Sequence, residues 1–169
     1  MDVSKALAAT GEEIPFSLQM ELPDTALMNE TVTFPEAALL RGTYASIGDL
    51  LRLKGAMAFT AKARCVLCLK SAEKAFDIPF DALYGLARDP GNPDLYLYDG
   101  AWVDPREMAA DAALLALPMQ WRCAEDCRGL CPVCGADRNE TECSCRMEMP
   151  PKHPFSALQQ LLTEDESEV

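Results

Sequence analysis

The sequence predicts an α+β fold: a mainly antiparallel β core with two or three helices and a C-terminal cysteine-rich module. Three observations lead there. Short runs of alternating apolar and polar residues, bounded by Pro and Gly, dominate the first hundred positions. One helix-start signature follows at Asp104-Pro105-Arg106-Glu107. Six of the eight cysteines then crowd into residues 123 to 145.

In chain order, Phe16 to Leu22 alternates cleanly before Pro23, and Thr31 to Phe34 is a short β-rich run before Pro35; both read as strands. Residues 55 to 63 set Met57 and Phe59 on one face with Thr60 and Lys62 on the other. Residues 72 to 80 set Ala72, Phe76, Ile78 and Phe80 against Glu73 and Asp77. The two runs are expected to be antiparallel neighbours joined by 64 to 70, so that Cys65 and Cys68 cap a hairpin. Residues 85 to 93, rich in Gly and Pro, read as the main loop. Asp94 to Tyr98 and Ala101 to Val103 read as a hairpin turning on Asp99-Gly100.

A helix is expected over 105–117, with Asp104 as N-cap, Glu107 closing a capping box, and an apolar stripe of Met108, Ala112, Leu114 and Leu115. Trp102 and Trp121 flank it and read as packing residues. Residues 146 to 154 look like a Pro-rich linker. Phe155, Leu158, Leu161 and Leu162 outline a last helix over 155–162, and Glu164 to Glu168 an acidic tail. The expected organisation is a β-rich core at 1–118, a cysteine module at 119–149 packed on it, and a linker, helix and tail at 150–169. No internal repeat is visible.

The cysteines form four close pairs: Cys65/Cys68, Cys123/Cys127, Cys131/Cys134 and Cys143/Cys145. A disulfide framework needs an oxidising compartment. The first ten residues lack the apolar run of a secretion signal, and no stretch reaches about 18 apolar residues, so a reducing cytoplasm is the expected location. Zn²⁺, which takes four thiolates tetrahedrally, is then the expected structural ligand, as one or two ions. Loop closure favours Cys131, Cys134, Cys143 and Cys145 as one set. The remaining set would be Cys65, Cys68, Cys123 and Cys127, stapling the hairpin to the chain entering the module. Free buried thiols, or a crossed pairing of Cys65/Cys68 with Cys131/Cys134, remain alternatives. In Cys131-Pro132-Val133-Cys134-Gly135, Pro132 restricts the turn and Gly135 can take the positive φ of a zinc knuckle.

Catalytic motifs are lacking: there is no GxGxxG, P-loop, HExxH or GxSxG, and the one histidine, His153, lies in the Pro-rich linker. A closed four-thiolate site leaves no position for substrate. Cys65-Val66-Leu67-Cys68 is formally a redox CxxC, but a hairpin is the wrong setting for an activated thiol. The formal charge of -12 argues against binding nucleic acid by bulk electrostatics. Between Arg41 and Lys74, however, seven basic residues face two acidic ones. Within this stretch Arg52, Lys54, Lys62, Arg64 and Lys70 are the possible RNA contacts; the plainer reading is a solvated hairpin face.

Several stretches, in order, resemble the YceD family, named for large ribosomal RNA subunit accumulation. They are Arg64 to Leu69, the helix end Leu115 to Met119, the run from Cys123 to Gly135, then Asn139, Cys143, Cys145 and Pro154 to Leu158. The residue before the second hairpin cysteine, often Arg in that family, is Leu67 here. The resemblance implies a cytoplasmic bacterial protein that supports 23S rRNA levels and large-subunit synthesis or maturation, with a connection to ribosomal protein genes and no known reaction. The implied partners are precursor rRNA or large-subunit ribosomal proteins, with no membrane and no small-molecule substrate. A zinc-stapled protein-interaction adaptor that never touches RNA is the alternative, and a thiol oxidoreductase a more distant one.

Overall fold

The computed structural model describes residues 1–27 and 30–145. The chain divides into two compact units, Met1–Cys127 and Arg128–Val169. The expected linker at 146–154, helix at 155–162 and acidic tail lie outside the described residues.

The first unit is mostly β. In chain order it contains α1 (Ser4–Ala8), β1 (Ile14–Met20), β2 (Thr25–Leu27), β3 (Glu30–Val32), β4 (Ala38–Ile47), β5 (Leu50–Arg64), β6 (Ser71–Gly85), β7 (Tyr96–Asp99), β8 (Trp102–Val103) and α2 (Arg106–Ala116). Six strands form one sheet in the order β1-β4-β5-β6-β7-β8, antiparallel except where β6 meets β7. Strands β2 and β3 pair separately, and Thr33 bridges to Lys62 on β5.

The long β5–β6 hairpin is the spine, and its alternation explains why. Along β5, Leu51, Leu53, Met57, Phe59, Ala61 and Ala63 are buried, while Arg52, Lys54, Lys62 and Arg64 lie on the opposite face. Such a period of two buries one face against α2, whose Met108, Ala109 and Ala113 complete the core. Met1 to Val3 extends the sheet beyond β8: Val3 N–H donates to the Ala101 carbonyl (2.8 Å) and Val103 N–H to that of Met1 (2.9 Å).

One strand is missed by the sequence reading and four local expectations are corrected. Strand β4 was not legible, because Arg41 and Gly42 interrupt its alternation. The β7–β8 turn is centred on Gly100-Ala101, since Asp99 pairs with Trp102; only Gly100, at φ 57°, needs the left-handed region. Asp104 receives the Arg106 N–H (3.1 Å), but no side chain caps α2 in a reciprocal box. The helix buries Met108, Ala109 and Ala113, whereas Leu115 is 87% exposed. Trp121 packs in the core as expected; Trp102 is exposed. Among the described residues no helix is long and apolar enough to cross a membrane.

Candidate metal centres

The β5–β6 turn and the chain after α2 build the first cysteine group, wholly within the first unit. Cys65 and Cys68 sit on the turn, both buried. Cys123 and Cys127 reach them because Trp121 pins the incoming chain. Its indole N–H donates to the Ala72 carbonyl (3.1 Å), its ring lies 6.2 Å from Phe76, and its carbonyl accepts the Val66 N–H (2.8 Å). Lys74 Nζ covers the indole at 5.5 Å. The Sγ atoms of Cys65 and Cys127 are then 3.9 Å apart, those of Cys68 and Cys123 3.6 Å.

The second group, Cys131, Cys134, Cys143 and Cys145, lies in the second unit. Asn139 holds its loop: its side-chain oxygen accepts the Arg128 N–H (2.8 Å), while its backbone N–H and Nδ2 donate to Asp137 Oδ1 (2.9 and 2.8 Å). Cys131 is buried, Cys143 half-buried, and Cys134 and Cys145 exposed. In each group all four sulfurs lie within 4.8 Å of one another. The chain therefore brings the pairs together in the partition that loop closure favours, not the crossed one.

The two CxxC turns are built alike. Leu69 N–H donates to the Cys65 carbonyl (2.9 Å) and Gly135 N–H to that of Cys131 (2.8 Å). Cys65 N–H donates to the Lys70 carbonyl and Cys131 N–H to that of Ala136, both at 2.8 Å. Such a turn aims backbone N–H groups at the first sulfur. Burial works to raise the Cys65 thiol, but N–H groups of Cys68, Cys123 and Leu67 outweigh it and bring it down to about 6. N–H groups of Cys134 and Val133 lower Cys131 likewise, to about 6. The later thiols go the other way: Cys127 and Cys68 push Cys123 up to about 12, and Cys134 does the same to Cys145.

This donor set fits a divalent soft cation. A tetrahedron with Zn–S bonds of about 2.3 Å has edges of about 3.8 Å, and the two resolved separations of 3.6 and 3.9 Å bracket that value. They are far too long for a disulfide. One thiolate is already stabilised in each group, while crowding against neighbouring sulfurs raises Cys123 in the first and Cys143 and Cys145 in the second, a conflict that a shared cation relieves. Both groups could hold a metal ion. Cys65 and Cys68, at 0% and 4% exposure, are not the accessible thiol pair that an oxidoreductase needs.

The basic side chains expected to touch RNA lie on the solvent face of β5, but three are already ion-paired. Arg52 Nε donates to Asp81 Oδ1 (2.7 Å), Lys62 Nζ is 3.2 Å from Glu73, and Arg64 Nε donates to Glu30 (2.9 Å). Lys54 stands directly across from Asp81 in register. Strand β6 thus lays Glu73, Asp77 and Asp81 alongside the basic strand. Glu73 and Asp77 were legible as a polar face, but Asp81 and the cross-strand register that pairs these acids were not. Lys70 follows the first knuckle, apart from this row.

A family model described as "Large ribosomal RNA subunit accumulation protein YceD" matches residues 53–162. No curated protein and no solved structure matches the chain.

Proposed function

Because the chain belongs to the YceD family, we propose that it is a non-enzymatic ribosome-biogenesis factor supporting 23S rRNA accumulation and large-subunit synthesis, stabilised by structural zinc at its two cysteine groups. The family match carries this reading, for it spans the hairpin cysteines and the whole cysteine run. Zinc would be held by Cys65, Cys68, Cys123 and Cys127 in one site and by Cys131, Cys134, Cys143 and Cys145 in the other. It supplies cross-linking of the chain, and the four-thiolate sets leave recognition to other surfaces. The cytoplasm, where thiols stay reduced, is the compartment that suits them.

Glu replacement of Arg52, Lys54, Lys62, Arg64 and Lys70 tests direct contact with precursor rRNA. Loss of rRNA crosslinking, with zinc content retained, supports it; unchanged crosslinking removes this face from the RNA-binding surface. Exposed pairs such as Arg52–Asp81 contribute only about 0–1 kcal/mol each, but Glu opposite Glu73 and Asp81 adds repulsion, so an unchanged urea midpoint is required alongside retained zinc. The pairing of Arg52, Lys62 and Arg64 with acids, together with the charge of -12, favours a second reading. In it the protein is an adaptor that binds large-subunit ribosomal proteins without touching RNA. Affinity purification with and without nuclease separates the two: partners that survive nuclease are held by protein contacts.

A further inference from the structure

Strand β6 has a partner strand along one side but, on the other, only at its end. Its antiparallel pairing with β5 runs from Ser71 to Tyr84, whereas its pairing with β7 begins at Tyr84 and covers two residues. Among the described residues no strand pairs with this second side before Tyr84. Pro79 lies in that open stretch, opposite Ala56. Having no N–H, it fits a ladder only where the missing donor would face away from the neighbouring strand. The hairpin turn fixes the same parity: Cys65 N–H donates to the Lys70 carbonyl (2.8 Å), so even-numbered residues of β6 turn towards β5. The N–H and C=O of Asp81 therefore face the open edge.

That edge is one wall of a cleft of about 580 Å³, and helix α2 is the other. Ile78, Phe80, Met108 and Ala112 line its apolar part, and Leu115 stands 87% exposed on it. Asp94, Tyr96 and Asp111 join it to a smaller cleft of about 170 Å³, to which Glu107 and Arg88 contribute. Asp94, Glu107 and Asp111 have no ion-pair partner among the described residues. Three carboxylates against the one guanidinium of Arg88 leave a surplus of two negative charges, of the same sign as the chain's -12. Asp81, neutralised by Arg52, is outside that count. Asp111 accepts from the Tyr96 hydroxyl (3.0 Å), which leaves its charge in place. Burial first, then Asp111 with Glu107 and Asp94, push the Tyr96 phenol up to about 12, so the three carboxylates bear on one spot. Such a cleft repels phosphate and attracts cations.

We propose that this cleft docks an extended basic segment of a partner protein, which adds as a short strand beside Asp81, sets an apolar side chain against Ile78 and Leu115, and brings Lys or Arg to Asp94, Glu107 and Asp111. Main-chain hydrogen bonds to the open edge supply affinity, and alternate side chains supply specificity. The proposal rests on the adaptor reading above and deepens it, by naming the surface and the chemistry of the partner.

The test uses the full-length, zinc-loaded protein and labelled probes. These are a short peptide in which Leu and Val alternate with Lys and Arg, the same peptide with Asp and Glu as its charged residues, and a short single-stranded RNA. Two further basic peptides are N-methylated at alternate amides, one in each register. Anisotropy reads affinity, and amide shifts at Asp81, Leu83 and Leu115 locate it. The basic peptide is expected to bind there, and Asp94→Lys and Leu115→Ser are each expected to weaken it about tenfold. Methylation in one register should abolish binding and in the other spare it. Both substituted side chains are exposed, so both variants should keep their zinc and the parental urea midpoint, which excludes misfolding as the cause. Failure of the basic peptide to bind, equal binding of the acidic peptide or the RNA, equal effects of the two methylation registers, unchanged affinity in both variants, or a dimer of the free protein that shields these amides would each overturn the proposal. The adaptor reading is judged apart by affinity purification. Nuclease-resistant partners retained by Asp94→Lys would remove this cleft and leave that reading standing, whereas their absence from the parent protein would overturn both.

Discussion

Phe16 and Phe80 meet with ring centroids 6.4 Å apart although two strands run between them. In a flat sheet their backbones would stand about 14 Å apart at the usual strand spacing. The intervening residues in the row are Gly42 and Gly55, paired with each other. A Cβ on Gly42 would lie 2.1 Å from the Lys54 carbonyl oxygen, and one on Gly55 2.1 Å from that of Arg41. The glycines let the strands approach, and the two rings cover the bare backbone that results.

Gly42→Ala and Gly55→Ala are therefore each expected to destabilise the first unit by about 3 kcal/mol, near the upper end of ordinary overpacking, because the obstructing atoms are backbone. Urea unfolding should show a lower midpoint with an unchanged slope. A midpoint within error of the parent would mean that the strands separate without penalty.

The two cysteine groups differ in protection, and metal removal should expose the difference. The first group has two buried thiols, Cys65 and Cys68, and one exposed, Cys123, whereas the second has one buried, Cys131, and two exposed, Cys134 and Cys145. Graded chelation of the two-zinc protein is expected to strip the Cys131–Cys145 group first. Amide signals of 128–145 should collapse while the β-sheet pattern of the first unit persists. Native mass spectrometry counts the ions. Simultaneous loss of both, or loss of sheet signal at the first step, would contradict this order.

Much of this architecture was legible in the sequence, for identifiable reasons. The β5–β6 hairpin showed itself because one face is buried and the other solvated, so its alternation is written in the residues. The grouping of the cysteines followed from spacing, since short loops close most readily. Strand β4 was hidden because Gly42 is chosen for its contact with Gly55, a relation between strands that no local pattern carries. The left-handed backbone of Leu69, at φ 61°, was hidden for a similar reason: nothing in CVLCL signals positive φ, and only its equivalence to Gly135, at φ 73°, reveals it. The ion pairs on β5 depend on register with β6, which is set by the whole hairpin.

Zinc affinity should fall steeply in mild acid. Metal binds thiolates, so protons compete for each sulfur. Cys65 and Cys131, at about 6 against an ordinary 9.0, are ionised at pH 7.5, while Cys123 and Cys145, at about 12, are not. Binding at pH 7.5 should then release fewer than four protons per ion, measurable by calorimetry in buffers of different ionisation heat. As pH falls through about 6 the two lowered thiols take up protons as well, release rises towards four, and a zinc-sensing dye should report loss of metal. Full retention down to pH 4 would show that the sites do not depend on these thiolates.

Tyr84 is fully buried, and among the described residues its hydroxyl has no hydrogen-bond partner. Burial pushes its ionisation well above the usual phenol range. A buried hydroxyl without a partner carries a desolvation penalty of about 1–3 kcal/mol that a phenyl ring of the same shape does not. Tyr84→Phe is thus expected to stabilise the protein by about 1 kcal/mol, seen as a higher urea midpoint. Tyr96 is the control, because its ring lies 5.4 Å from Tyr84 but its hydroxyl donates to Asp111 (3.0 Å). Tyr96→Phe gives up that bond and should destabilise by roughly 0.5–1 kcal/mol. Equal effects of the same sign would show that hydrogen bonding does not distinguish the two phenols.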